Sequence, residues 1–221
     1  MGDSVATALY GMINTRSISL DTMINHSLAV KRGIKKSVFV FDMPANTYRN
    51  FNEAKRNAKI VIKKIGCDAV KIESNGKNFN IIKKLVRSGI PVMGHIGYTP
   101  QYKKKFRIEG QSISGANKLL KEAKSIEKAG AFSIVLECLT PFASALVTTN
   151  VNIPTIGIGS SSNCDDQILV TDDMLGISGF YPKFVKKYVS LNRIIEKAVK
   201  KYSKEVKTKV FPKNKNFLYG K

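Results

Sequence analysis

The stretch Cys67-Asp68-Ala69-Val70-Lys71-Ile72-Glu73-Ser74 decides how this chain is read. Val70 and Ile72 alternate with Lys71 and Glu73, as in a short strand, where side chains two residues apart share a face. Lys71 and Glu73 therefore point one way and the apolar residues the other. A helical pattern precedes the stretch and another follows it, so its apolar face is expected under helices and its charged face inside a barrel or crevice. A lysine and a glutamate placed there are costly unless they bind something. Taken alone, the stretch equally fits a structural ion pair on a half-exposed strand.

The same alternation runs outward in both directions. Ser19 to Gly33 reads as a helix with Ser19 or Asp21 as cap and Gly33 as stop. Ser37-Val38-Phe39-Val40-Phe41-Asp42-Met43-Pro44 reads as a strand buried on both faces that ends in a carboxylate and a proline. Asn52 to Gly66 is helical, then comes the Glu73 strand, then a helix over Asn78 to Gly89. Strands follow at Ile90 to Gly97, Phe132 to Cys138 and Pro154 to Ser160, with helices over Gly115 to Gly130 and Pro141 to Thr149. Leu191 to Lys207 is a basic amphipathic helix. Alternating strands and helices imply parallel strands joined by crossover helices. With no break in composition, residues 1–211 are expected to form a single domain and 212–221 a loose tail.

Composition narrows the class. The 221 residues suffice for one large core, and their apolar content is that of a globular protein. Lys and Arg total 37 against 16 Asp and Glu, a net charge of +21. The lysines are spread along helices and the tail without a nucleic-acid-binding motif, so nucleic acid is not the expected partner. The Lys103-Lys104-Lys105 run reads as a solvated loop face. Cys67, Cys138 and Cys164 are odd in number and form no CxxC, which fits a reducing compartment and argues against zinc. No apolar run reaches the ~18–20 residues of a membrane span, and no signal peptide precedes the first helix. The expected location is the cytoplasm.

Asp42, Glu73, His95, Glu137 and Ser160 each fall at the C-terminal end of an expected strand. In a closed β/α barrel those ends meet at the face that carries the active site. Buried acids need a cation or a proton, so the set points to a metal-assisted site with a spare acid or base. Asp42 and Glu73 suit a hard cation such as Mg²⁺. His95, flanked by Gly94 and Gly97, reads as a ligand, an acid/base, or a hydrogen-bonded wall of the site. His26 and Cys138 are expected to be structural.

Gly2-Asp3-Ser4, Phe41-Asp42-Met43-Pro44, Val70-Lys71-Ile72-Glu73, the run from Pro91 through His95 to Gln101, Leu136-Glu137-Cys138, Ile156-Gly157-Ile158-Gly159 and Asp166-Gln167-Ile168-Leu169-Val170 occur in that order, with Pro182-Lys183-Phe184 beyond. In these residues the chain resembles the ketopantoate hydroxymethyltransferases. The resemblance implies a (β/α)8 TIM-type barrel, a homo-oligomer and bound Mg²⁺. It also implies transfer of a one-carbon unit from 5,10-methylenetetrahydrofolate to 3-methyl-2-oxobutanoate through a Mg-bound enolate, giving 2-dehydropantoate for pantothenate synthesis. By the same resemblance Asp3, Asp42 and Glu73 are the metal ligands, Asp3, Ser4, Asp42 and Lys71 bind the oxo acid, and Glu137 is the proton acceptor.

The chain departs from the family pattern at its start. The family places a strand, a helix and most of a second strand before the Gly-Asp-Ser turn, so the barrel is expected to lack those elements. Three accounts compete: a true start lying upstream, which is favoured; a non-catalytic remnant that binds anions; or a gap closed by an oligomer partner. Because a terminus is normally poorly anchored, Asp3 is expected to be loosely held. A second departure is the turn Gly159-Ser160-Ser161-Ser162. A related Mg-dependent lyase or aldolase acting on a 2-oxo acid is the rival enzyme reading.

Overall fold

Six strands pair side by side in the order in which the chain makes them, every pair parallel. They are β1 (Val40–Asp42), β2 (Ala69–Glu73), β3 (Val92–Gly97), β4 (Ser133–Glu137), β5 (Thr155–Ile158) and the two-residue β6 (Asp166–Gln167). This strictly sequential order is that of a β/α barrel wall and differs from a doubly wound sheet, whose strand order reverses. The helices are α1 (Val5–Ala8), α2 (Leu20–Gly33), α3 (Phe51–Ile65), α4 (Phe79–Arg87), α5 (Ile113–Lys128), α6 (Pro141–Thr148), α7 (Thr171–Leu175) and α8 (Leu191–Lys207). The structure is a computed structural model and describes residues 1–179, 182–213 and 216. The chain divides into two compact units, Met1–Ile168 and Leu169–Lys221. No helix among the described residues is long and apolar enough to cross a membrane.

Local sequence explains the helix ends. Asn50, Ser112 and Thr140 cap α3, α5 and α6 by accepting a hydrogen bond from a first-turn backbone N–H. Gly66 closes α3 in the left-handed conformation, with φ of 69°. Ala54, Ala58, Val61 and Ile65 bury one stripe of α3 at helical spacing. On the sheet side, Gly94 allows α5 to sit close to β3, because a Cβ there would meet Ile126 Cγ2 at 2.5 Å.

The register sorts the two faces of the sheet. Asp42 lies opposite Lys71, Glu73 opposite His95, and Gly97 opposite Glu137. Period-2 alternation then sends Phe41, Val70, Ile72, Val92, Ile96, Ile134 and Leu136 to the other face, where all are buried in the main apolar core. The strand of Lys71 and Glu73 thus has its apolar face in the core and its charged face with the other strand-end polar groups.

Two expectations change. Val38 was expected inside a doubly buried strand, but β1 begins at Val40 and Val38 is 69% exposed. The chain before β1 is held instead by Asp68, whose Oδ2 accepts from Phe39 N at 2.7 Å, so pairing starts only beyond that clamp. Asp3, expected to be loose, is 5% exposed. Met1 N donates to Val40 O at 2.7 Å and Asp42 N donates to Met1 O at 3.0 Å. That is the bonding of a parallel ladder along the outer edge of β1, and it anchors the residues that follow. Of the tail expected from Pro212, residues 214, 215 and 217–221 lie outside the described residues.

In the second unit, α8 has the bounds expected from its pattern, and none of its residues is buried.

Candidate active site

The first four strands deliver polar side chains to the same face. β1 supplies Asp42, β2 supplies Lys71 and Glu73, β3 supplies His95 and β4 supplies Glu137. Asp3 arrives from the turn before α1, where its backbone N–H donates to Asp42 Oδ2 at 3.2 Å. Ser4 is the N-cap residue of α1, but its side chain makes no capping hydrogen bond.

Lys71 is the electrostatic centre. Its Nζ lies 2.7 Å from Asp42 Oδ1 and 3.2 Å from His95 Nδ1. Burial alone would lower its pKa, but Asp42, Glu73 and Asp3 outweigh burial and hold the ammonium charged. Sequence reading paired Lys71 with Glu73 as neighbours on one face. They do share it, yet the ion pair is with Asp42 across the strands.

His95 is 2% exposed, and its pKa is driven well below the usual value by burial and by Lys71. It is therefore a neutral imidazole. Facing an ammonium, Nδ1 can only accept, which assigns the proton to Nε2. Nε2 stands 3.2 Å from Glu137 Oε2, at an angle too poor for a formed hydrogen bond. The side chain of Glu137 is 20% exposed, and burial pushes its carboxyl up to about 7. Asp3 is likewise raised to about 7 by burial and by Asp42, and Glu73 is raised well above its ordinary value, chiefly by burial.

The loop after β3 completes the site. Gly97, at φ of 96°, has no room for a side chain, since a Cβ would lie 2.2 Å from Glu137 O. Gln101 contacts both Asp3 and Glu73. Lys103, expected on a solvated loop face, instead donates to Gly97 O at 2.6 Å and to Glu109 Oε1 at 2.7 Å. These two bonds tie the end of β3 at Gly97 to Glu109 across the loop. Lys104 and Lys105 are exposed, as expected.

Ser160, one of the strand-end polar residues, is turned to the backbone: its Oγ donates to Leu136 O and accepts from Leu139 N. Cys138 is buried, with its thiol pushed up to about 12 by burial and by Glu137, so it is no nucleophile. His26 bonds Tyr10 and takes no part in the cluster. Sequence reading assigned no role to Gln101 or Tyr48. The signal for Gln101 was its place just beyond Pro100, at the close of the glycine-bearing His95 stretch; Tyr48 had none.

The carboxylates fit a hard divalent cation. Glu73 Oε1 is buried with no hydrogen-bond partner among the described residues, and Asp42 and Asp3 crowd the same Lys71. Among the described residues no three His, Cys, Asp or Glu form a ready-made metal cage. Mg²⁺ does not need one, since it binds through one or two carboxylates and keeps positions for water and substrate oxygens.

Fold and site together define a β/α enzyme whose clustered carboxylates, lysine and histidine lie on the strands toward their C-terminal ends. Two solved structures share the fold: 2,3-dimethylmalate lyase, a PEP mutase/isocitrate lyase superfamily member, with a TM-score of 0.58 at 13% identity over 99% of this chain and 77% of that one, and phosphonopyruvate hydrolase, with a TM-score of 0.57 at 12% identity over the same shares. The family model for ketopantoate hydroxymethyltransferase matches residues 1–214. Curated relatives named 3-methyl-2-oxobutanoate hydroxymethyltransferase include those of Pelagibacter ubique, 45% identical over 98% of this chain and 84% of the relative, and Clostridioides difficile, 44% identical over 98% and 80%. The chain belongs to the ketopantoate hydroxymethyltransferase family.

Proposed function

We propose that this chain transfers a one-carbon unit from 5,10-methylenetetrahydrofolate to 3-methyl-2-oxobutanoate, giving 2-dehydropantoate and tetrahydrofolate. The observation that carries the reading is that one neutral imidazole, His95, separates a fixed cation, Lys71, from a carboxylate poised near neutrality, Glu137. Removing a proton beside a ketone needs both a base and positive charge where the enolate oxygen develops.

In this reading Glu137 takes the C3 proton of the oxo acid. Lys71 faces the keto oxygen and offsets its growing charge, while Asp42 keeps the ammonium in place. Ser4 and Asp3 contact the oxo acid beside them, Ser4 through a hydroxyl that makes no capping bond. The enolate carbon then forms a bond to the folate methylene carbon as one of that carbon's two bonds to nitrogen breaks, the second is replaced by a bond to the oxygen of water, and tetrahydrofolate leaves, its two nitrogens having taken up the proton from C3 and one from water. Asp3, Asp42 and Glu73 would hold Mg²⁺, which when bound polarises the keto group. His95 walls the site and spaces Lys71 from Glu137. A charged Lys71 is a poor nucleophile, which disfavours a Schiff-base aldolase.

We also read the six-strand ladder as part of a (β/α)8 barrel, supported by its sequential parallel order, and the assembly as a homo-oligomer of soluble subunits acting on small molecules. The test is product formation from 3-methyl-2-oxobutanoate, methylenetetrahydrofolate and Mg²⁺, followed together with C3 deuterium exchange in the absence of folate. Turnover and exchange are expected; a folded protein showing neither defeats the reading.

A further inference from the structure

Gln101 joins two acids that lie 28 and 98 residues away from it in sequence. Its backbone N–H donates to Glu73 Oε2 at 3.0 Å. Its side-chain Nε2 donates to Asp3 Oδ2 at 2.9 Å and to Met43 O at 3.0 Å. Its Oε1 accepts from Tyr48 OH. Both amide protons are thus used, and all four partners are buried.

An amide side chain can be turned end for end with little change of shape, which in this setting would aim Oε1 at the Asp3 carboxylate. Tyr48 prevents this. Burial drives its phenol pKa far up, so it stays protonated and keeps a donor pointed at Gln101. The orientation of the amide is therefore fixed from behind, by a phenol that donates to Gln101 and to neither acid.

The choice of a neutral donor is informative. A lysine or arginine at this position would also bond both carboxylates, but it would cancel their charge and compete with a cation. Gln101 holds one oxygen of each acid and brings no positive charge of its own. Glu73 Oε1 remains buried without a hydrogen-bond partner among the described residues, which costs the desolvation of a polar oxygen. The residue thus links the two acids by different groups, Glu73 through its backbone N–H and Asp3 through its amide.

We propose that Gln101 is a positioning residue that sets the separation and orientation of Asp3 and Glu73, and through them the affinity of the site for a divalent cation and the 2-oxo acid chelating it. Tyr48 acts one step further back by fixing the Gln101 amide. The inference rests on the hydroxymethyltransferase reading, because it assumes that Asp3 and Glu73 serve a cation.

The experiment titrates Mn²⁺ into the full chain by calorimetry and by electron paramagnetic resonance, with and without 3-methyl-2-oxobutanoate, for wild type, Gln101→Met and Tyr48→Phe. Gln101→Met keeps the volume and the backbone N–H but removes the amide. It should weaken Mn²⁺ binding about tenfold or more, the order expected for losing charge-assisted hydrogen bonds that hold a ligand set. Tyr48→Phe should weaken it about threefold, since the amide remains but can turn. C3 deuterium exchange by Gln101→Met should recover toward wild type as Mn²⁺ is raised, a concentration effect that general loss of structure would not produce. Mn²⁺ affinity of Gln101→Met within twofold of wild type overturns the proposal. If Gln101→Met does not fold, unchanged affinity in Tyr48→Phe overturns it instead. Failure of the wild type itself to bind Mn²⁺ overturns the hydroxymethyltransferase reading, and this proposal with it.

Discussion

The two banks of the site are built differently. On one side Asp3, Asp42 and Glu73 are 5%, 4% and 1% exposed, and they are tied to Lys71, Gln101 and the backbone. On the other, Glu137 keeps a 20% exposed side chain beside the poorly aligned imidazole of His95. Groups that bind must be held before the ligand arrives, because reorganising charge inside a protein is expensive. In the proposed mechanism Glu137 is the base; a base must reach a proton and let it go, which suits a looser side chain nearer solvent with a pKa matched to neutral pH.

Removing the base should produce the largest effect. Glu137→Gln is expected to lower C3 deuterium exchange about a thousandfold, within the 10²–10⁴ range of general-base contributions, while leaving oxo-acid and Mn²⁺ affinity within a few-fold. Normal exchange in that variant would erase the distinction between the banks. Removing the cation that binds the acidic bank comes next. Lys71→Met should cost about 3–5 kcal/mol of stability, the usual loss when one partner of a buried ion pair is taken away, measured by urea denaturation.

The pH dependence of Lys71→Met sharpens the same contrast. Asp3 in the fold is raised from 3.8 to about 7, so the folded state binds more protons than the unfolded one between those values. Stability therefore falls as pH rises through that window. Loss of Lys71, which opposes the rise at both Asp3 and Glu73, should steepen the fall. Urea midpoints at pH 5.5 and pH 8 report it, with the larger deficit expected at pH 8.

For the base the sign is reversed in activity. Glu137 must be ionised to accept a proton, so the exchange rate should rise about tenfold per pH unit below a midpoint near 7 and level off above it. A rate that falls across that range would remove Glu137 from the role. The smallest effect is expected at the rim: Ser4→Ala should weaken oxo-acid binding by about 1 kcal/mol, one ordinary hydrogen bond, with no change in Tm.

Much of this contrast was legible in the residue pattern. Val70 and Ile72 alternating with Lys71 and Glu73 sufficed to put two charges on one face, because strand geometry has a period of two whatever surrounds it. Strand ends carrying Asp42, His95 and Glu137 could be recognised for the same reason. Val38 was misplaced because burial on both faces depends on what pairs with the segment, and Asp68 clamps the chain before pairing begins. Ser160 reads like its strand-end neighbours in sequence, but the ladder offers it two backbone partners.

What the sequence determined by itself was the alternation of elements, the inward face of each strand and the family, since these follow from local periodicity and from residue identities in order. Only the tertiary structure decided the partners. Lys71 pairs with Asp42 because parallel register sets β1 beside β2, His95 stays neutral because the fold buries it against an ammonium, and Gln101 meets Asp3 because the loop after β3 returns to the start of the chain. Those are properties of distance and desolvation, which no spacing along the chain contains.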